Sequence, residues 1–116
     1  MKIAIVGTRN PSVDYQEWEG LLLDKIDLAD VTLVISGGAK GIDAFAKLFA
    51  GHRHIPYMEF APQYAKYGRN ATLRRNTQIV KESDMVIAFP TADSKGTCHT
   101  INEAHRLNRI VKVIKI

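Results

Sequence analysis

Between residues 33 and 46 the chain reads LVISGGAKGIDAFA, an apolar run that passes through three glycines into apolar residues at helical spacing. Glycines free the backbone for positive φ and remove the Cβ that would hold a ligand away. The amides that open the following helix then favour an anion, which makes Ser36, Gly37, Gly38, Lys40 and Gly41 candidate phosphate contacts. The spacing is neither G-x-G-x-x-G nor G-x-x-x-x-G-K-[ST], so the loop alone names no nucleotide. Asp43 falls in the first turn of that helix, where bonding to backbone amides is a simpler role than catalysis.

Two further loops have the same character. Thr8, Arg9, Asn10, Pro11 and Ser12 follow the run KIAIVG, which ends on Gly7. Pro90, Thr91 and then Ser94, Lys95, Gly96 and Thr97 follow DMVIAF. Thr97 is expected to cap the next helix, its hydroxyl and the amides of Cys98 and His99 holding a second phosphate oxygen. Arg74 and Arg75 open another helix; a guanidinium suits bidentate phosphate contact, although paired arginines are usually solvated surface, and the sequence leaves both readings open. Glu59 follows the glycine loop by about 20 residues, the spacing of an acid on a ribose hydroxyl in dinucleotide folds. Without the dinucleotide signature that reading ranks low. Cys98 has no histidine relay beyond adjacent His99 and reads as a small buried cap residue. His52 and His54 lack the third ligand that zinc needs and read as loop histidines, so neither a metal nor an organic cofactor is expected.

These loops need strands before them and helices after them. Ile- and Val-rich runs occur at Lys2–Gly7, Val31–Ser36, Ile55–Phe60, Asp84–Phe89 and Ile110–Ile114. Between them Val13–Leu23, Lys40–Gly51, Ala71–Glu82 and Thr97–Leu107 carry apolar residues three and four apart. Alternation of this kind predicts an α/β domain, a parallel sheet covered by helices on both faces. Pro56 places the third strand near an edge. Ala61–Asn70 is left as a connection long enough to have a function. Such sheets bind ligands at the carboxyl ends of their strands, where all three loops converge.

A chain of 116 residues is expected to form one domain, 1–116, able to bury a core without staples. No apolar run approaches the ~20 residues of a membrane span, and MKIAIVGTRN reads as a first strand rather than a signal peptide. A single cysteine excludes an internal disulfide and fits a reducing cytoplasm. The net charge of +4 favours anionic partners, nucleotides or single-stranded nucleic acid, although no aromatic-and-arginine run marks a nucleic-acid groove.

The stretches IAIVGTRNPS and VISGGAKGIDAFA resemble the Rossmann core of the DNA processing protein A (Smf) family. YAKYGRNATLRRNTQIVKESDMVIAFPTADSKGTCHTINEA is similar to short bacterial and phage proteins of the SLOG superfamily. These share an Arg-Asn pair, here Arg75 and Asn76, and a Gly-Thr, here Gly96 and Thr97. The resemblance implies a five-stranded Rossmann-like sheet of order 3-2-1-4-5, a nucleotide or nucleotide-derived ligand, and pairing into a homodimer. Its enzymatic branch, the LOG-type phosphoribohydrolases, releases a base from a nucleoside monophosphate. By that likeness Arg75 is a catalytic candidate, while the family's acid falls on Thr100, a contact residue here. Glu103, one turn further on, or Glu59 substitutes for it only if the fold brings one of them to the ribose. Ligand binding or sensing therefore ranks first, N-glycosidase activity second and single-stranded DNA binding third.

Overall fold

The computed structural model describes residues 1–116. Strands β1 (Lys2–Gly7), β2 (Leu33–Ser36), β3 (Tyr57–Glu59), β4 (Met85–Phe89) and β5 (Ile110–Val113) form one sheet of order β3-β2-β1-β4-β5. Every pairing in it is parallel. The helices are α1 (Tyr15–Leu23), α2 (Ile42–His52), α3 (Tyr64–Tyr67), α4 (Ala71–Glu82) and α5 (Lys95–Arg106). The α/β class and the strand order are those expected.

Side-chain alternation in the central strands divides the core in two. Ile3 and Ile5 of β1, with Ile87 and Phe89 of β4, face Trp18, Leu22, Ile42 and Phe49 of α1 and α2. Ala4 and Val6, with Val86 and Ala88, face Ile79 and Val80 of α4 and Ala104 of α5. Strands buried on both faces need apolar residues at every position, which is why β1 and β4 read as unbroken runs. Trp18 lies in contact with the rings of Tyr15, Phe45, Phe49 and Phe89, and its Nε1 has no protein partner.

Several boundaries differ from expectation. The first helix starts at Tyr15 because Asp14 caps it, accepting a bond from the Glu17 amide at 2.9 Å. The second starts at Ile42 because Gly41, at φ +79°, cannot be helical. The last starts at Lys95, two residues early, so Thr97 lies inside the first turn and Ser94 occupies the capping position. The connection at 61–70 is not irregular: it contains α3 and a 3-10 turn at Gly68–Asn70. His52 ends α2 with its ring edge-on to Tyr15, and only His54 is a loop residue. Cys98 is exposed, not buried, because the inward face of α5 carries Thr97, Thr100 and Ala104. The edge position of β3 is as expected.

Candidate functional site

In this strand order the chain leaves β1 toward β2 and β3 on one side and returns to β4 and β5 on the other. The loops after β1 and β4 therefore diverge and leave a crevice at the carboxyl ends of the strands. A cleft of ≈ 580 Å³ occupies that place. Gly7, Thr8 and Arg9 line it from β1, Gly37 and Asp43 from the glycine loop, and Lys95, Gly96 and Thr97 from the start of α5. Arg75, Asn76 and Thr100 complete the wall from α4 and α5.

Glycines make this convergence possible. A Cβ on Gly7 would lie 2.7 Å from Ile42 Cγ1 and 2.8 Å from the Phe89 carbonyl oxygen, so α2 can approach β1 only without one. At Gly37 a Cβ would lie 2.5 Å from Arg75 Nη1 and 3.1 Å from Asp43 Oδ2. The glycine thus sits between a cation and a carboxylate that close on it from two sides.

Arg75 is 9% exposed and held on one side only. Nε donates to Asn76 Oδ1 at 3.0 Å, and Nη1 donates to the carbonyl oxygens of Gly37 at 2.8 Å and Phe60 at 3.5 Å. Nη2 donates to no protein acceptor and is not sealed from solvent, which leaves half of a guanidinium fork available in the cleft.

The start of α5 offers a second set of donors. Ser94 does not cap the helix: its Oγ accepts from the Thr91 amide at 2.9 Å and pairs with the Thr91 hydroxyl at 3.0 Å. That hydroxyl also donates to Thr8 Oγ1 at 3.3 Å, tying the loops after β4 and β1 together. The amides of Gly96 and Thr97 are left without a protein acceptor at the positive end of the helix. Thr100 Oγ1 donates to the Gly96 carbonyl oxygen at 3.0 Å, so this hydroxyl supports the turn.

Asp43 is the buried carboxylate of the cleft. Its Oδ2 accepts from the Ala39 amide at 3.2 Å, the backbone role expected of it. Burial pushes its pKa up to about 6, against the opposing pull of the Ala39 and Gly37 amides and of Arg75 and Arg9. A folded pKa raised above the unfolded value makes the native state bind more protons between about 4 and 6. Stability contributed by Asp43 therefore falls as pH rises through that window. Relative to Asp43→Asn, the native protein is expected to gain roughly 1 kcal/mol of unfolding free energy between pH 7 and pH 5 in urea titrations. Equal pH slopes in the two proteins would contradict the assignment. Glu103 acts outside this window, because the Arg106 guanidinium holds its carboxyl down at about 2.

Of the residues singled out from the sequence, the cleft gathers Gly7, Thr8, Arg9, Gly37, Asp43, Arg75, Asn76, Lys95, Gly96, Thr97 and Thr100. Ser36 lies buried below it, its Oγ 2.7 Å from Tyr57 Oη and 3.3 Å from the Gly38 amide. Gly38, at φ +73°, packs against the Glu59 carboxylate, and Gly41 packs against the Thr8–Arg9 backbone. Lys40 and Pro90 are outside the lining, as is Glu59, which accepts from Tyr57 Oη at 2.9 Å. Glu103 is not brought to the cleft. It accepts from Thr77 and from two nitrogens of Arg106, at 2.8–3.0 Å, on the outer side of α5. Sequence reasoning passed over Asp93, Ala39, Val6 and Ile79. Asp93 had one available signal, its place in the loop after β4; the apolar floor had none.

The fold and its cleft define a Rossmann-like α/β protein with a polar, glycine-walled crevice at the switch point of the sheet. The family model for DNA recombination-mediator protein A matches residues 1–58, half of this 116-residue chain, and the chain belongs to that family. It is 28% identical to the Gene 61 protein of Mycobacterium phage D29, over 90% of this chain and 89% of the relative. Among solved structures it is similar to DNA processing protein A from Streptococcus pneumoniae, with 20% identity and a TM-score of 0.70. It is also similar to the Helicobacter pylori protein described by its single-stranded DNA binding mode, with 19% identity and a TM-score of 0.74. Both alignments cover 97% of this chain, but it spans only 49% and 64% of those two chains. The resemblance to the DNA processing protein A core and its SLOG relatives read from the sequence holds. No helix is long and apolar enough to cross a membrane.

Proposed function

We propose that the chain is a single nucleotide-binding domain whose cleft holds the phosphate of a nucleotide unit. The observation that carries this reading is the convergence of two unsatisfied donor sets: Arg75 Nη2 and the uncapped Gly96 and Thr97 amides. Arg9 and Lys95 add positive charge at the same cleft. A polymeric form of the ligand, single-stranded DNA, is the second reading. Family membership and the binding mode named for the Helicobacter pylori relative favour it.

The geometry favours holding over cleaving. Hydrolysis of an N-glycosidic bond needs a carboxylate beside an oxocarbenium-like centre. By the sequence likeness Thr100 takes the position of the hydrolases' acid, and Glu103 is paired with Arg106 outside the cleft. Of the cleft's own carboxylates, Asp43 is engaged by the Ala39 amide, which leaves Asp93 as the one to replace in a cleavage assay. Calorimetry with nucleoside monophosphates and short oligodeoxythymidylates at low salt tests the reading. Saturable binding of at least one, weakened by Lys95→Ala, is the expected result. Absence of heat across both panels would overturn it, and free base in the incubated samples would restore the hydrolase.

A further inference from the structure

Asp43 opens α2 on the wall of the cleft and is buried there. Its Oδ2 is tied to the Ala39 amide, a bond that the side-chain oxygen of an asparagine would accept equally well. The carboxylate therefore brings something the tie does not require, a negative charge inside a cleft walled with anion donors. That charge is unpaired. The chain's three ion pairs lie elsewhere, and Arg75 is held off by backbone. A Cβ on Gly37 would lie 3.1 Å from Asp43 Oδ2 and 2.5 Å from Arg75 Nη1, so the two groups flank one glycine within about 6 Å of each other. Nη1 donates instead to the Gly37 carbonyl oxygen at 2.8 Å.

The groups that face Asp43 come from several elements. Arg9 follows β1, Arg75 stands on α4, and Tyr57 of β3 is near enough to feel its charge. Asp93 and Lys95 line the same cleft at the entry to α5. Burial pushes the Asp43 carboxyl up to about 6, over the opposing pull of the Ala39 amide, Arg75, the Gly37 amide and Arg9. Arginine and lysine hold their charge through neutral pH, whereas Asp43 changes its own just below it. When ionised, Asp43 and Asp93 together offset two of the three lining cations, Arg9, Arg75 and Lys95. Protonation of Asp43 releases one of them. An anion taken up by Arg75 enters the field of this buried like charge, and a dianion feels it twice as strongly as a monoanion.

We infer that Asp43 sets which charge state of phosphate the cleft accepts, so that the site takes up a proton with its ligand and favours a singly charged phosphate ester over a dianionic one. The inference rests on the phosphate reading of the cleft. Coupling of this kind is reciprocal: the ligand makes the carboxyl easier to protonate, and the proton makes the ligand easier to hold.

Calorimetry with adenosine 5′-monophosphate, a dianion above about pH 6, and with its phosphate methyl ester, a monoanion throughout, tests the selection. The intact protein is expected to bind the ester about tenfold more tightly at pH 5 than at pH 8. Near pH 6.5 it should take up about half a proton per site, read from the heats in buffers of different ionisation enthalpy. Asp43→Asn should bind the ester with no such pH dependence. At pH 8 it should hold the ester about tenfold, and the monophosphate about fiftyfold, more tightly than the intact protein does. The asparagine keeps an acceptor for the Ala39 amide, so the variant should fold, and proton uptake is read on the intact protein alone. His99 of α5 lies 3.4 Å from Asn76 Nδ2 outside the lining, and a pH dependence arising from it would persist in Asp43→Asn. That persistence, or ester binding by the intact protein without pH dependence or proton uptake, would overturn the inference while the cleft reading stands. Weaker binding of both probes by Asp43→Asn at pH 8 would make the carboxylate a direct ligand contact and overturn it too. No binding of either probe at any pH would overturn both.

Discussion

Replacement of Gly41 by alanine is expected to lower the unfolding free energy by about 3 kcal/mol. Two independent costs meet at this position. Its backbone sits at φ +79° and ψ −127°, a conformation that L side chains rarely adopt. A Cβ there would also lie 2.5 Å from the Thr8 carbonyl oxygen and 2.6 Å from the carbonyl carbon and oxygen of Arg9. These are backbone atoms and cannot rotate aside. The Ile42 amide donates to that same Thr8 oxygen at 3.1 Å, so moving the loop breaks the bond that fixes α2 against β1. In urea the midpoint should fall by about 1.5 M for a slope of about 2 kcal/mol/M. Gly51→Ala serves as the contrast: it has open space around it inside α2 and should gain about 0.5 kcal/mol. A Gly41→Ala protein as stable as the native one would show that this approach of the two loops is wrong.

Arg75→Met is expected to weaken nucleotide or oligonucleotide binding by about a hundredfold and to cost about 2 kcal/mol of stability. The two effects come from opposite sides of one guanidinium. Nε and Nη1 satisfy Asn76 and the Gly37 carbonyl from within, and methionine leaves those acceptors unpaired. Nη2 has no protein acceptor in a residue that lines the cleft, and its loss would remove the charge-assisted phosphate contact proposed for it. Arg75→Lys retains the charge without the fork and should recover affinity in part while leaving most of the stability deficit. Binding is read by anisotropy well below the variant's melting temperature and stability by denaturation. Arg75→Met with native affinity would reduce the residue to a strut under the glycine loop.

Those two residues also mark how far the sequence could be read. The strands were legible because burial on both faces demands unbroken Ile, Val and Ala, and the four longer helices because each shows one apolar face to the sheet. The crevice was legible from three glycine- or hydroxyl-rich loops, since a parallel sheet has one end at which such loops meet. What escaped was what depends on orientation. α3 has four residues, too few to show a period, and it ends where Gly68 turns to φ +56°. Ser94 and Thr97 are both credible caps, and only the turn bonds at Thr91 show that neither hydroxyl caps the helix. Glu103 is three residues from Thr100, a small step in sequence but enough to carry its carboxylate onto Thr77 and Arg106. Cys98 is adjacent to the buried Thr97 and points outward for the same reason, about 100° of rotation per residue.

The two faces of the sheet are not filled alike, and the difference bears on how the cleft is tuned. The side under α1 and α2 holds Trp18, Phe49 and Phe89, whereas the side under α4 and α5 is built with Ala4, Ala88 and Ala104. A methyl side chain at these positions leaves room for a helix to pack closer to a sheet than a larger one would. Arg75 on α4 and the Gly96 and Thr97 amides on α5 are carried into the cleft by the helices that rest on this layer. Three methyl groups outside the cleft lining thus act as the shims of the site. A family built on this frame can widen or narrow its crevice by changing the thickness of one packing layer, with every polar contact residue left in place.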